Sequence, residues 1–154
     1  MSQHEEVDEL IEKIEGSEDP DEKSELFQTL ADKIAAHSTI EEKLFYPSVM
    51  SDETQDLLLE STEEHLVVKR TLADMLELDP DDERFDAKLA VVKESLDHHA
   101  HEMEEGQLFP LVQKLLSADE LEALGGELLA FSEALLERQP RQQIPAETRE
   151  AARL

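Results

Sequence analysis

The chain has 154 residues, of which 40 are acidic and 14 basic, and its formal net charge is −26. This length suffices for one domain with a sizeable core, the acidic charge disfavours nucleic-acid partners, and the absence of cysteine excludes disulfides, thiolate metal sites and thiol nucleophiles. Because no apolar run is long enough to cross a membrane and the N-terminus lacks the features of a secretion signal, we expect a soluble, cytoplasmic protein.

Apolar residues that recur at intervals of three and four predict an all-α protein with four amphipathic helices. The first predicted helix extends to about Gly16, and the second begins at Pro20 and ends near Pro47. The third follows Ser51, which is a suitable N-cap, and the fourth ends before Pro110.

A fifth helical stretch is predicted from about Ala118 to Glu137, with an interruption at Gly125-Gly126. Residues 138–154 follow as a tail that holds four of the 14 basic residues and two prolines. We expect this tail to lie on the acidic helices or to be disordered. We therefore predict one helical domain over residues 1–137, followed by the tail.

One histidine lies on the stripe that should face the core in each of the first four helices. These are His4, His37, His65 and His99. At about 1.5 Å per residue, the last three lie at a common level, roughly 20–25 Å from the helix ends. His4 fits this level less well, because it lies close to the start of its helix. Histidines that converge from separate helices indicate a metal site.

Glu41 strengthens this interpretation, because it follows His37 by one helical turn on the same face. A carboxylate buried there without a partner would cost several kcal/mol, and a divalent ion removes that cost. Imidazole and carboxylate ligands in a helical core suit iron or manganese, with zinc a less favoured alternative. Four histidines and two glutamates are too many for one ion and suit two ions that share a bridging oxygen.

His37 and Glu41 form a His-x-x-x-Glu motif that Pro47 follows. With this motif the chain resembles the hemerythrin-like (HHE cation-binding) domain family. The family pattern is a histidine, a His-x-x-x-Glu pair, a lone histidine and a second His-x-x-x-Glu pair. Two further features add to the resemblance. The chain starts with Gln3-His4-Glu5-Glu6-Val7, and an aromatic residue directly precedes the proline near the end of both the second and the fourth predicted helix. The resemblance covers roughly residues 1–116. It implies an up-down-up-down four-helix bundle, here with an additional C-terminal helix, around two non-haem iron ions.

The fourth helix departs from the family pattern. The apolar stripe of this helix continues to His99. In the family, the ligand glutamate precedes the proline by six residues, which gives Glu104, and Glu104 is five positions after His99 and not four. A single π-bulge around residues 100–103 would bring both side chains to the site. The alternative pair, His101 and Glu105, has regular spacing, but His101 lies roughly 200° around the helix from His99. We favour His99 and Glu104 and keep His101 and Glu105 as alternates.

Tyr46 is the only tyrosine and follows Glu41 by five residues. It either packs at the end of the second helix or donates a hydrogen bond to a group that surrounds the metals.

The missing ligand of the third helix bears on function. Oxygen-carrying hemerythrins, as the family is known, have two histidine ligands in the third helix, four residues apart. This chain has the first of them, His65, but has Lys69 at the position of the second. With one protein ligand fewer, the pair of metal ions is more open, which favours catalytic turnover over storage of dioxygen. We therefore predict a di-iron protein that reacts with peroxide or dioxygen in a catalase-like way, with Glu41 and Glu104 bridging. The alternatives are binding or sensing of dioxygen or nitric oxide, and iron handling without turnover.

Overall fold

The structure, a computed structural model, describes residues 3–149, and the regular secondary structure in this range is entirely helical. The six helices of this range are α1 (Gln3–Gly16), α2 (Pro20–Ile40, Glu41–Phe45 and Tyr46–Val49), α3 (Gln55–Leu76), α4 (Glu83–Asp97, His98–Leu108 and Phe109–Leu115), α5 (Ala118–Leu136) and α6 (Ile144–Glu147). The middle segments of α2 and α4 are π-helical. A 3₁₀ turn, Pro140–Gln143, precedes α6. The predicted all-α class is confirmed.

Short polar side chains explain where several helices begin. Asp19 accepts a hydrogen bond from the N–H of Asp21 at 3.0 Å at the start of α2. Asp82 has the same role for α4 and accepts from the N–H of Arg84 at 2.9 Å. Ser117 and the residue three positions after it form a capping box at the start of α5. Each cap satisfies a backbone donor that the helix leaves without a partner.

Two apolar clusters fill the bundle. The first cluster includes Ile11, Ile34, Val68, Leu72 and Val92. The second cluster includes Tyr46, Val49, Leu58, Leu108 and Val112. Along the chain, α2 runs from the first cluster to the second, α3 returns, and α4 runs to the second again. Consecutive helices are therefore antiparallel, and the predicted up-down-up-down bundle is confirmed. The candidate metal ligands of α2, α3 and α4 lie between the clusters.

The two prolines that were expected to end helices do not end them. Pro47 and Pro110 lie in the first turn of the short α-helical segments that follow the π-helical ones, so that α2 continues to Val49 and α4 to Leu115. Each proline is the second residue of its short segment and removes one backbone donor at the junction with the π-helical turn, yet the helix continues beyond it.

Two further boundaries differ from the prediction. The third helix begins at Gln55 and not directly after Ser51, because a turn lies between the two. In this turn, Thr54 Oγ1 accepts a hydrogen bond from the N–H of Ser51 at 2.9 Å and donates one to the carbonyl of Val49 at 2.8 Å. Gly125-Gly126 does not interrupt α5. A glycine costs a helix only about 1 kcal/mol, and the capping box offsets part of that cost.

The residues after α5 pack on the bundle over the described part of the tail. Ile144 is fully buried in the first cluster. Arg141 anchors the 3₁₀ turn to α2, because its Nη1 lies 2.7 Å from Asp32 Oδ2 and its N–H donates to Asp32 Oδ1 at 3.0 Å. The boundary predicted at residue 137 stays a prediction. Across residues 3–149 we find no helix with the length and hydropathy that a bilayer crossing demands.

Candidate metal centre

A group of buried nitrogen and oxygen donors lies between the two clusters. Donor atoms of Glu41, His65, His99 and Glu104 all lie within 4.8 Å of one another. His99 Nε2 is 2.9 Å from His65 Nε2 and 2.9 Å from Glu104 Oε1. Because α2, α3 and α4 each contribute to this group, the antiparallel packing of the bundle creates it.

A second donor group adjoins the first and shares Glu104 with it. Donor atoms of His4, His37 and Glu104 lie within 4.8 Å of one another. His4 Nε2 is 3.2 Å from Glu104 Oε2, whereas Glu104 Oε1 faces His99. His37 Nε2 is in close ionic contact with Glu41 Oε1. A carboxylate whose two oxygens face two donor groups has the arrangement of a bridge between two cations.

The π-helical geometry of α4 explains how His99 and Glu104 meet. In an α-helix, residues five apart point in different directions, whereas a π-helix repeats at about that spacing. The π-helical segment His98–Leu108 encloses the bulge predicted around residues 100–103 and is longer than it. His99 and Glu104 are thereby both buried, with 4% and 1% of their surface exposed.

The alternate pair lies at the surface. His101 Nδ1 is 3.1 Å from Glu105 Oε2, and 54% and 49% of these two side chains are exposed. Glu105 touches the site from outside, because its Oε1 lies 3.4 Å from His4 Nδ1. His98 is also half exposed and lies 2.8 Å from Glu102. The structure thus brings together all six favoured residues and leaves His101 out; which of them bind metal stays a prediction.

Tyr46 both packs in the second cluster and contacts the site. Its side chain is fully buried, its ring stacks on that of His65 with 5.8 Å between centroids, and its hydroxyl donates to Glu104 Oε1 at 3.4 Å. The π-helical turn Glu41–Phe45 of α2 lies directly before this tyrosine. Both interpretations of Tyr46 are therefore compatible with its position.

Three charged residues around the site were not predicted. Glu42 Oε1 lies 3.1 Å from His65 Nδ1, and its Oε2 lies 3.5 Å from the buried ammonium of Lys69. Lys69 Nζ also lies 2.7 Å from Glu147 of α6. The spacing of four between His65 and Lys69 places both side chains on one face of α3 and indicates that Lys69 lies beside the site. No signal in the sequence indicates which carboxylates it contacts.

Mutual contacts shift the ionisation of the site. Burial opposes a charged His99, but contacts with Glu104 and Glu41 outweigh it and raise the pKa of His99 to about 10. Burial also acts to raise the pKa of Glu41, but the attraction of His37 and contacts with Glu104 and His65 lower it well below its usual value. The positive charge of His99 thus balances the buried carboxylate of Glu41, a role that a bound cation takes over when it displaces the proton.

The donor set fits a divalent metal. Both oxygens of Glu41 are buried without a well-aligned hydrogen bond, although Oε1 is in ionic contact with His37. A carboxylate so placed is costly unless a cation is close to it. The imidazole and carboxylate donors are those that iron, manganese and zinc accept. The residues present therefore form a possible metal site of histidines and glutamates.

Known proteins support this interpretation. The chain is 26% identical to a hemerythrin HHE cation binding domain-containing protein from Mycobacterium kansasii, whose crystal structure superposes with a TM-score of 0.74 over 98% of this chain and 90% of that one. It is also 27% identical over 139 residues to a DNA nickase from Nostoc sp. (strain PCC 7120). That match covers 88% of this chain and 38% of the nickase, so the chain spans less than half the length of this relative.

The family model that describes the hemerythrin HHE cation binding domain matches residues 1–112. This range contains both donor groups and ends within α4. It confirms the resemblance drawn from the sequence motifs. The chain therefore belongs to the hemerythrin HHE cation-binding domain family.

Proposed function

We propose that this protein binds two non-haem iron ions and decomposes peroxide in a catalase-like reaction. The proposed ligands are His4, His37, Glu41, His65, His99 and Glu104. One observation carries the proposal: Glu104 is buried and directs one oxygen to His99 at 2.9 Å and the other to His4 at 3.2 Å. This geometry favours a pair of ions over a single one, and manganese is the alternative metal.

The reaction balances without an outside reductant. Two molecules of hydrogen peroxide yield one of dioxygen and two of water, and the chemistry that a bound iron pair supplies is the exchange of two electrons between them. Glu42 accepts a hydrogen bond from His65 Nδ1–H at 3.1 Å, which directs the Nε2 lone pair into the site. Burial and the nearby charges of Glu41 and Glu104 raise the pKa of Tyr46, so that its neutral hydroxyl holds Glu104 Oε1.

The position of Lys69 supports turnover over simple storage of dioxygen. Its ammonium pairs with Glu42 and Glu147, and an ammonium has no lone pair for a metal. The site therefore has one ligand fewer than an oxygen-carrying hemerythrin would use, which leaves a coordination position for peroxide.

Reversible binding of dioxygen or nitric oxide is a second candidate. Apolar side chains, among them Ile40 and Phe109, line the space beside His4 and Glu104, and such a lining suits an uncharged gas. This candidate predicts an optical spectrum that returns to its starting form on degassing. Iron handling without turnover predicts neither that spectrum nor oxygen release.

The activity named for the Nostoc relative is not part of the proposal. The matched region accounts for 38% of that protein, and the charge of −26 on this chain opposes the approach of a phosphate backbone. The proposed partners are small oxygen species.

Oxygen release from the iron-loaded protein tests the proposal. Wild type and His101→Ala, whose substitution lies outside both candidate ligand groups, should evolve oxygen from hydrogen peroxide in an electrode cell well above an equal amount of free iron. Glu104→Gln should fall to the level of free iron. Oxygen release at that level from the wild type, with iron bound, would rule out the catalase-like activity.

A further inference from the structure

A cavity of about 460 Å³ opens onto one side of the candidate centre. His4, His37 and Glu104 lie at its polar end. Its apolar wall includes Ile40, Phe45, Phe109, Leu128 and Leu129. Helix α5 thus covers the site from outside. Leu129 lines the cavity and is 60% exposed, so the cavity reaches solvent at this helix.

The size of the cavity exceeds what hydrogen peroxide or dioxygen needs. A water molecule occupies about 30 Å³ in the liquid, and molecules of two oxygen atoms are of similar size. Cavities of roughly 300–1,000 Å³ are those that hold drug-sized or metabolite-sized ligands. The volume and the apolar wall together indicate a ligand that has a carbon body beside its oxygen atoms.

Charge selects the head group of that ligand. Glu105 lines the cavity beside Glu104 and Glu41, and the chain as a whole carries −26. A carboxylate head would approach against this negative field, whereas a hydroperoxide is neutral at pH 7. We propose that the cavity binds a neutral organic hydroperoxide, with its carbon body against the apolar wall and its oxygens toward His4, His37 and Glu104.

This inference rests on the proposed function and names a second substrate class for the same site. An organic hydroperoxide and hydrogen peroxide would yield the alcohol, dioxygen and water. The O–O bond of the organic molecule breaks and accepts two electrons and two protons, and hydrogen peroxide supplies both as it becomes dioxygen. Hydrogen peroxide is therefore the reductant, and no other is required.

Helix α5 offers a matched pair of variants. A Cβ atom built on Gly125 or on Gly126 meets nothing within 4 Å, so both positions accept a side chain. Gly125 lines the cavity and Gly126 is absent from its lining. Gly125→Leu fills part of the cavity, whereas Gly126→Leu changes helix propensity in the same way without entering it.

Binding to the metal-free protein separates this inference from the proposed function. The probe is cumyl alcohol, an unreactive analogue of cumene hydroperoxide, titrated by calorimetry; cumate, of similar size, is the anionic comparison. Wild type and Gly126→Leu should bind the alcohol equally, Gly125→Leu at least tenfold more weakly, and cumate more weakly than the alcohol. Gly125→Met takes the place of Gly125→Leu if circular dichroism finds the latter unfolded.

Three results would overturn the inference: no binding of cumyl alcohol to the wild type, equal binding to the wild type and the filled variant, or binding of cumate as tight as that of the alcohol. Each can occur in a protein that still loads iron and releases oxygen from hydrogen peroxide. Failure of the catalase-like activity with normal binding of cumyl alcohol would instead reject the proposed function and leave the cavity assigned.

Discussion

Glu104 Oε1 lies 2.9 Å from His99 Nε2, although the two residues are five positions apart along α4. The π-helical segment His98–Leu108 permits this contact, because its wider turn places residues five apart on one face. In a regular α-helix, the side chains of His99 and Glu104 would face different directions. The candidate centre therefore depends on a local departure from α-helical geometry.

Substitution of single histidines tests which one belongs to the centre. His99→Ala should lower bound iron to one ion per chain or fewer, because its ring is 4% exposed and contacts both carboxylates. His101→Ala should keep the iron of the wild type, because its side chain is 54% exposed. Iron is measured by elemental analysis of the purified variants. Loss of iron in His101→Ala alone would reject the assignment in favour of the alternate pair.

The π-helical segment should tolerate a side chain poorly at Gly106. A Cβ atom there would lie 3.1 Å from the carbonyl oxygen of His101, and a backbone oxygen cannot easily move aside. We expect Gly106→Ala to lower the free energy of unfolding of the metal-free protein by about 1 kcal/mol. Gly126→Ala, whose Cβ meets nothing within 4 Å, should raise it by roughly 0.5–1 kcal/mol.

Urea denaturation followed by circular dichroism measures both changes. An equal rise in the free energy of unfolding of Gly106→Ala and Gly126→Ala would mean that the backbone of α4 moves enough to accept the new Cβ atom, so that the close contact with His101 costs nothing.

Lys69 should stabilise the fold through the two carboxylates that it joins. It is 5% exposed and lies between Glu42 of α2 and Glu147 of α6. Lys69→Met removes the cation that the two carboxylates share, although Glu42 keeps its contact with His65. We expect a cost of about 1–3 kcal/mol, less than for a fully buried pair because Glu147 is partly exposed. Lys88→Met, which removes an exposed pair with Asp74, should cost less than about 1 kcal/mol.

The midpoints of urea denaturation give this comparison. If the two variants lose the same stability, the contact of α6 with the bundle does not depend on the lysine.

The periodicity of the sequence predicted the helices well and their details less well. Intervals of three and four placed His37, His65 and His99 on core-facing stripes, and the structure puts all three between the two apolar clusters. The extent of the π-helical segments could not be predicted, because only the requirement that His99 and Glu104 meet indicated a bulge. The continuity of α5 through two glycines was also missed, because tertiary packing and a capping box outweigh helix propensity.

Contacts between residues distant in sequence were beyond prediction. The approach of Glu42 to His65 and Lys69 requires α2 and α3 to be packed, and the contact of Lys69 with Glu147 joins α3 to α6. The burial of Ile144 in the first cluster is of the same kind, since a tail rich in basic residues carries no periodic stripe that would indicate it. The six favoured ligands, in contrast, were identified from spacing and family resemblance.

The N-cap of α4 should give stability that depends on pH. Side-chain and backbone hydrogen bonds with Arg84 lower the pKa of Asp82 to about 2, below the value of about 3.9 for an unfolded chain. A group with a lowered pKa contributes stability that is complete above about pH 4 and is lost as the pH falls through 2. Asp82→Ala should therefore unfold more easily than the wild type at neutral pH, and this difference should shrink on acidification.

Thermal unfolding of the metal-free proteins between pH 2 and pH 7 tests this. Asp82→Asn, which keeps an accepting oxygen but does not titrate, should show no such convergence with Asp82→Ala. A difference between wild type and Asp82→Ala that is constant over the range would contradict the account.

In the proposed centre, Glu104 bridges two iron ions that histidines of four helices hold. X-ray absorption of the iron-loaded protein, with elemental analysis of the same sample, measures whether this bridge exists. We predict two iron ions per chain and an iron–iron distance of about 3.5–4 Å, both lost in Glu104→Gln. One iron ion per chain, or two ions with no iron–iron scattering, would show that Glu104 does not bridge a pair of ions.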